Sequence, residues 1–228
     1  MSQGHRDSVG SRPFVTVHLA QSLDGRIALD GAPTPLSTAA GRTCAHAARA
    51  ANDAVLVGSS TVRIDDPRLT VREAPGDHPL RVVLASTLAL PRNAKVLARE
   101  GRALVIGAEG HIAEVERAAL EAAGAQVAIA PCDPDGLVAI DGALAILFAR
   151  GVNRLLVEGG ARVVTSFFRA KRVDRVSIEI AMRLLGAHGT SMLGALDLGP
   201  LDAAPTLANV SVDRLGDNVI VRGDVVYS

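Results

Sequence analysis

Chemistry in this chain concentrates where short apolar runs meet glycine, hydroxyl or charged side chains. Leu155-Leu156-Val157-Glu158-Gly159-Gly160 reads as a buried strand ending in an acid and two glycines that open a helix. Free amides at a helix N-terminus favour anions, and glycine lets a phosphate approach the backbone closely. A pyrophosphate over Gly159 and Gly160 is one reading. A tight strand-to-helix turn uses the same pair, and no full Gly-x-Gly-x-x-Gly is present. Val55-Leu56-Val57-Gly58-Ser59-Ser60-Thr61 repeats the arrangement, and a third strand ends at Ala85-Ser86-Thr87 with Arg92 soon after. Two glycine-bearing strand ends suit a dinucleotide. The lack of an acid near the third inclines the reading from NAD towards NADP.

Charged side chains supply a second set of candidates. Asp65-Asp66-Pro67-Arg68-Leu69-Thr70-Val71-Arg72 is either a solvated loop or part of a phosphate clamp in which Arg49, Arg68 and Arg72 donate forked hydrogen bonds. His18 lies on the first strand, just before Ser22-Leu23-Asp24-Gly25, as either a hydrogen-bonded core imidazole or a titrating group. His5, His78, His111 and His188 fall in loops or tails; His46 sits in an Ala-rich helix. None of these five attracts a role.

The elements that must hold these groups alternate along the chain. Val15, Val17 and Leu19 mark a period-2 strand, and Thr38 to Ala51 a helix capped by Ser37 or Thr38. Apolar runs at Ala54–Val57, Leu80–Ala85, Ala103–Ile106, Val127–Ala130 and Leu155–Val157 have the length and β-branching of buried parallel strands. Helical patterns at Ile112–Ala123, Leu137–Ala149 and Ala161–Lys171 separate them, which predicts an α/β sheet with helices on both faces. Val173–Ala181 reads as a further strand, and Gly186 to Pro200 as a loop. A hairpin pairs Val210–Arg214 with Val219–Val226 around Gly216-Asp217-Asn218.

Composition narrows the function. The 228 residues are 48% hydrophobic but 2% aromatic, with a formal net charge of +0. Balanced charge argues against nucleic acid, few aromatics remove stacking platforms, and the apolar fraction excludes general disorder. A small-molecule protein is expected, with a flexible polar tail over residues 1–12 and one domain over 13–228. Cys44 and Cys132 lack metal-ligand spacing, so no metal site is expected. No signal peptide or span long enough for a bilayer is legible, which makes the cytoplasm the expected location.

The segments Val17-His18-Leu19-Ala20-Gln21-Ser22-Leu23-Asp24-Gly25-Arg26, Asp53 to Thr61, Asp65-Asp66-Pro67 through Arg72, and Val157-Glu158-Gly159-Gly160 together resemble the pyrimidine reductase family of riboflavin biosynthesis. The resemblance runs from about Phe14 to Tyr227. It implies a dihydrofolate-reductase-like fold: a mostly parallel central sheet, helices on both faces and a C-terminal antiparallel hairpin. It also implies NADPH-dependent hydride delivery to C1′ of a ribosylamino-pyrimidine 5′-phosphate, and a homodimer formed through the C-terminal strands. Cofactor-contacting positions of the family match Ala20, Gly58, Thr61, Asp65, Ser86, Gly159, Gly160, Ala161, Arg162 and Val163, continuing to Ser166. Substrate positions match Ser37, Arg49, Leu69, Arg72 and Glu158, with the two arginines near the phosphate. His18, Glu158 and Asp65 are the implied catalytic groups. No zinc deaminase signature accompanies them.

Departures from the family fall on the substrate side. His18 stands where the family has Lys, Pro33 where it has a phosphate-binding Ser, Pro35 where it has Trp, and Met182 where it has Pro. Two other readings therefore accompany the riboflavin one: a paralogue reducing a pterin- or folate-like heterocycle, and a nucleotide-binding protein without turnover.

Overall fold

The computed structural model describes residues 11–29, 31–98 and 102–228, so residues 1–10 of the expected tail lie outside the described residues. Arg12, placed by sequence in that flexible tail, is instead anchored. Its guanidinium donates to both carboxylate oxygens of Asp174 at 2.7 Å.

Strand β1 (Phe14–Ser22) leads through β2 (Arg26–Leu29) and helix α1 (Ala39–Ala50) to β3 (Ala54–Gly58), which runs straight into α2 (Ser59–Asp65). Next come β4 (Leu80–Leu84), β5 (Ala103–Ala108), α3 (Glu114–Ala122), β6 (Gln126–Ala130), α4 (Ile140–Phe148) and β7 (Arg154–Gly159). Helix α5 (Ala161–Arg169) then precedes β8 (Arg175–Ala181), β9 (Gly189–Ser191), β10 (Thr206–Leu215) and β11 (Asn218–Val226). Nine strands form one sheet in the order β10-β11-β8-β1-β7-β3-β4-β5-β6. All neighbours are parallel except β11, which runs antiparallel to both β8 and β10. The expected fold class therefore holds.

The apolar runs read as they do because both faces of the sheet are covered. Leu56, Val82, Leu104 and Ile106 point into a core that takes in Leu144 of α4 and Phe167 of α5. Their neighbours Val55, Val57, Val83 and Val105 point into the opposite core with Val62 of α2 and Leu120 of α3. At α1 the expected cap is Thr38, whose Oγ1 accepts from the Gly41 amide at 3.0 Å.

Two elements depart from the sequence reading. The stretch Gly186–Pro200 is not wholly loop, because Gly189–Ser191 pairs antiparallel with Arg26–Leu29 in a two-stranded ribbon. Neither segment has enough alternation to announce itself. The hairpin strand β10 is also longer than Val210–Arg214, with a register shift between Ala208 and Ser211 that interrupts its pattern.

Acids within the recognisable motifs turn out to be fasteners. Asp24 accepts from the Ser22 hydroxyl and from the amides of Leu185 and Gly186, which holds its carboxyl at a pKa of about 2. Asp53 accepts from the amides of Asn153 and Arg154, tying β3 to the start of β7. No helix among the described residues is long and apolar enough to cross a membrane.

Candidate active site

Strands β3, β4, β5 and β6 succeed one another outward, whereas β7 returns to lie between β1 and β3. A crevice opens beyond strand ends at such a reversal of order, the usual ligand position in open α/β sheets. A cavity of ≈ 920 Å³ occupies it.

One wall is built from backbone. Strand β7 carries a register shift against β3, since Leu56 pairs with Val157 and Val57 with Gly159, leaving Glu158 as the extra residue. Gly159 then takes φ 120° and Gly160 φ 40°, values that side-chain-bearing residues rarely adopt. Gly160 is the N-cap of α5 and brings no side chain to its amides, so the helix start faces the cavity uncapped. A Cβ on Gly160 would also press on Thr61 Oγ1 at 3.0 Å, whereas nothing lies within 4 Å of one on Gly159. Gly58 has a different cause. Its missing Cβ leaves room for Val163, 2.7 Å away, so this glycine serves packing of β3 against α5.

A second part of the lining is built from side chains. Glu158, aimed by the bulge, accepts from Arg49 Nε at 2.6 Å and Nη2 at 2.7 Å, a forked ion pair. Arg49 Nη1 also donates to the Thr70 carbonyl at 3.1 Å. Arg72 donates through Nη1 to Thr70 Oγ1 at 2.6 Å, and its backbone amide donates to His46 Nδ1 at 2.8 Å. Glu73 stands 3.8 Å from Arg42 and 3.9 Å from His46 Nε2 at the same end. Burial lowers the His46 pKa, with Arg49 and Arg72 adding to the effect against Glu73 and Glu158.

His18 reaches the cavity from β1 while remaining 5% exposed, with Nδ1 3.1 Å from Ser177 Oγ on β8. Burial lowers its pKa against the opposing pull of Glu158 and Glu179, and Arg49 and Arg222 add smaller contributions to the lowering. The imidazole is therefore neutral near pH 7, unlike an ammonium at that position. Asp65, at the end of α2, has its carboxyl pKa raised by burial.

Of the residues singled out by sequence, His18, Ala20, Ser37, Arg49, Gly58, Thr61, Asp65, Arg72 and Ser86 all line this one cavity. Glu158, Gly159, Gly160, Ala161, Arg162, Val163 and Ser166 join them. Leu69 does not: φ 55° turns its side chain into the core beneath, 2% exposed. Nor do Arg49 and Arg72 make an open clamp, because Arg49 is committed to Glu158. The Ser37 hydroxyl donates to Glu179 at 2.7 Å, and Ser86 Oγ accepts from the Val138 amide at 3.2 Å.

Sequence reasoning passed over His46, Glu179 and Ser177. Arg42, His46 and Arg49 are four and three residues apart, one stripe of α1, and that spacing was the available signal for His46. Glu179 is 1% exposed and accepts from Ser37 Oγ, the Thr38 amide and Asn218 Nδ2, while Gly41 supplies the space its carboxylate fills. No short-range pattern joins those positions.

A parallel sheet with a crevice at its switch of strand order and an uncapped glycine turn defines an α/β protein of the dihydrofolate reductase type. Dihydrofolate reductase from Enterococcus faecalis shares this fold at a TM-score of 0.52 and 13% identity, over 92% of this chain and 96% of that one. More narrowly, the chain belongs to the RibD C-terminal domain family, matched over residues 13–221. It is 33% identical over 219 residues to the 2,5-diamino-6-ribosylamino-4(3H)-pyrimidinone 5′-phosphate reductase of Methanothermobacter thermautotrophicus, covering 92% of this chain and 97% of that one. It is 32% identical over 212 residues to the riboflavin biosynthesis protein RibD of Aquifex aeolicus, covering 92% of this chain and 57% of that protein. The Acinetobacter baumannii RibD structure superposes at a TM-score of 0.81 with 25% identity, over 95% of this chain and 59% of that one. The chain thus spans a little over half the length of these RibD proteins.

Proposed function

We propose that this chain is an NADPH-dependent reductase of riboflavin biosynthesis, acting on a ribosylamino-pyrimidine 5′-phosphate and delivering hydride to C1′ of the opened sugar. The observation that carries the reading is the Gly159–Gly160 turn, an uncapped helix start opening into a large cavity that also holds Arg72 and His18. Its amides suit a pyrophosphate, and the missing Cβ atoms leave the close approach that a phosphate needs. Ala161, Arg162, Val163 and Ser166 continue that wall, and Thr61, Asp65 and Ser86 line the same cavity, Thr61 beside Gly160. These residues would hold the dinucleotide.

When bound, a reduced nicotinamide supplies the hydride. The chain's own residues orient the substrate and hold a proton. Arg72 offers positive charge to the substrate phosphate, and Glu158, fixed by Arg49, accepts from polar groups of the substrate. Among the described residues His18 Nε2 is the ring nitrogen without a protein partner, the position from which a hydrogen bond would reach the reacting sugar. A homodimer also fits, since β10 is an edge strand whose Val210 and Val212 stand 53% and 62% exposed.

The test is NADPH oxidation with the diamino-ribosylamino-pyrimidinone phosphate and its deaminated uracil counterpart, beside dihydrofolate and dihydropterin. Turnover confined to the pyrimidine phosphates is expected. NADPH binding without oxidation of any of the four would overturn the reading.

A further inference from the structure

Parallel pairing of β1 with β8 places His18 directly opposite Ser177, and both side chains are buried, at 5% and 8% exposure. Their one mutual hydrogen bond, Nδ1 to Oγ at 3.1 Å, can run in either direction in principle. Satisfaction of the hydroxyl decides it. Among the described residues Ser177 Oγ has no other hydrogen-bond partner. Were it to accept from an Nδ1 proton, its own O–H would be left buried with nothing to receive it. An unmet buried donor is costly, whereas donation to Nδ1 satisfies both groups.

We propose that Ser177 is a positioning residue that holds His18 as the neutral Nε2–H tautomer, so that strand β1 presents the cavity with an uncharged hydrogen-bond donor. This rests on the reductase reading only for its consequence in turnover. The same device appears nearby in a form that geometry alone settles. His46 Nδ1 accepts from the Arg72 backbone amide, which can only donate, so that ring also carries its proton on Nε2 when neutral.

The consequence concerns what the site accepts. A neutral N–H recognises a lone pair, such as a sugar oxygen, a carbonyl or an unprotonated ring nitrogen, and repels no cation. An ammonium at the same place would instead favour an anion. The substrate group beside β1 is therefore a hydrogen-bond acceptor held without ionic attraction, and the positive charge that favours a phosphate lies towards Arg72. Four charged groups surround the ring: Glu158 on β7, Glu179 on β8, Arg49 on α1 and Arg222 on β11. They leave the hydroxyl as the group that chooses between the two nitrogens.

The experiment is proton–nitrogen correlation NMR of the imidazole rings in full-length protein, with His18→Gln used to assign the His18 signals. The Nε2-protonated pattern at neutral pH is the expected result. An Nδ1-protonated ring would overturn the proposal. Ser177→Ala removes a bond that favours the neutral ring, so the His18 titration should move upward, with a mixture of tautomers above it. Turnover should fall about tenfold, the worth of one hydrogen bond. Ser177→Thr, which keeps the hydroxyl, should restore both. A downward shift in Ser177→Ala would mean that Ser177 accepts rather than donates, and would overturn the assignment. Because the tautomer is read without substrate or cofactor, its outcome stands apart from failure of the reductase reading. Should Ser177→Ala not fold, the wild-type spectrum alone decides.

Discussion

The two walls of the cavity are made by different means. Around Gly159 and Gly160 the surface is backbone, shaped by positive φ and by the absence of side chains. Elsewhere on the lining, Arg49, Glu158, Arg72 and His46 come from three segments of the chain and are joined by the Arg49–Glu158 ion pair and by hydrogen bonds that run through Thr70 and the Arg72 amide. A backbone wall can be changed only by altering conformation, and the contact its amides offer is generic to anions. The side-chain wall depends on each partner, so its energetics are those of a buried polar network. Cofactor binding and substrate choice should therefore respond to mutation on different scales.

The largest effect belongs to the side-chain wall. Arg49 and Glu158 are only 13% and 11% exposed and share a forked pair. Arg49→Ala leaves the Glu158 carboxylate buried without its counter-charge, a loss of about 3–5 kcal/mol in such sites. Urea unfolding should show a lower midpoint, together with lost turnover. If Arg49→Ala unfolds at the wild-type midpoint, the pair contributes nothing and the contrast between the walls disappears.

A smaller and more selective effect is expected from the backbone wall. Gly160→Ala forces a side-chain-bearing residue to φ 40° and sets its Cβ 3.0 Å from Thr61 Oγ1. The strain is about 1–2 kcal/mol, so NADPH affinity should weaken by about tenfold or somewhat more, measured by titration calorimetry. KM for the pyrimidine phosphate should change little. An equal rise in both would show that the two walls act as one.

The same contrast governs what the amino-acid sequence alone discloses. Strands buried on both faces are legible as continuous runs such as Val55–Val57 and Leu104–Ile106, and the Gly159-Gly160 pair marks its own turn. Local conformation leaves a local signature. The bulge at Glu158 leaves none, because register is a relation between β3 and β7. Pairing of His18 with Ser177, or of Glu179 with Ser37 and Asn218, is likewise set by sheet order across more than a hundred residues in most cases. Leu69 shows the converse hazard. Its place among substrate-contacting positions is a matter of alignment, whereas its positive φ sends the side chain into the core.

The mildest prediction sharpens the side-chain wall by pH. His46 holds the Arg72 segment only while Nδ1 is unprotonated, since protonation turns that acceptor into a donor facing an N–H. Burial, Arg49 and Arg72 keep its pKa below the ordinary value, with Glu73 and Glu158 opposing them. For a histidine with a depressed folded pKa, the contribution to stability is complete above about 6.5 and is lost as pH falls towards the lowered value. Substrate KM, which reports the folded protein, should therefore rise a few-fold only as pH falls through that lowered value, where Arg72 loses its anchor. His46→Asn keeps a carbonyl acceptor for the Arg72 amide and has no proton to gain, so this variant should show a flatter KM profile. If His18 serves turnover as proposed, the kcat profile should be unchanged in the same variant. If KM in His46→Asn rises with acid as in the wild type, another group releases Arg72 and the anchor role of His46 is lost.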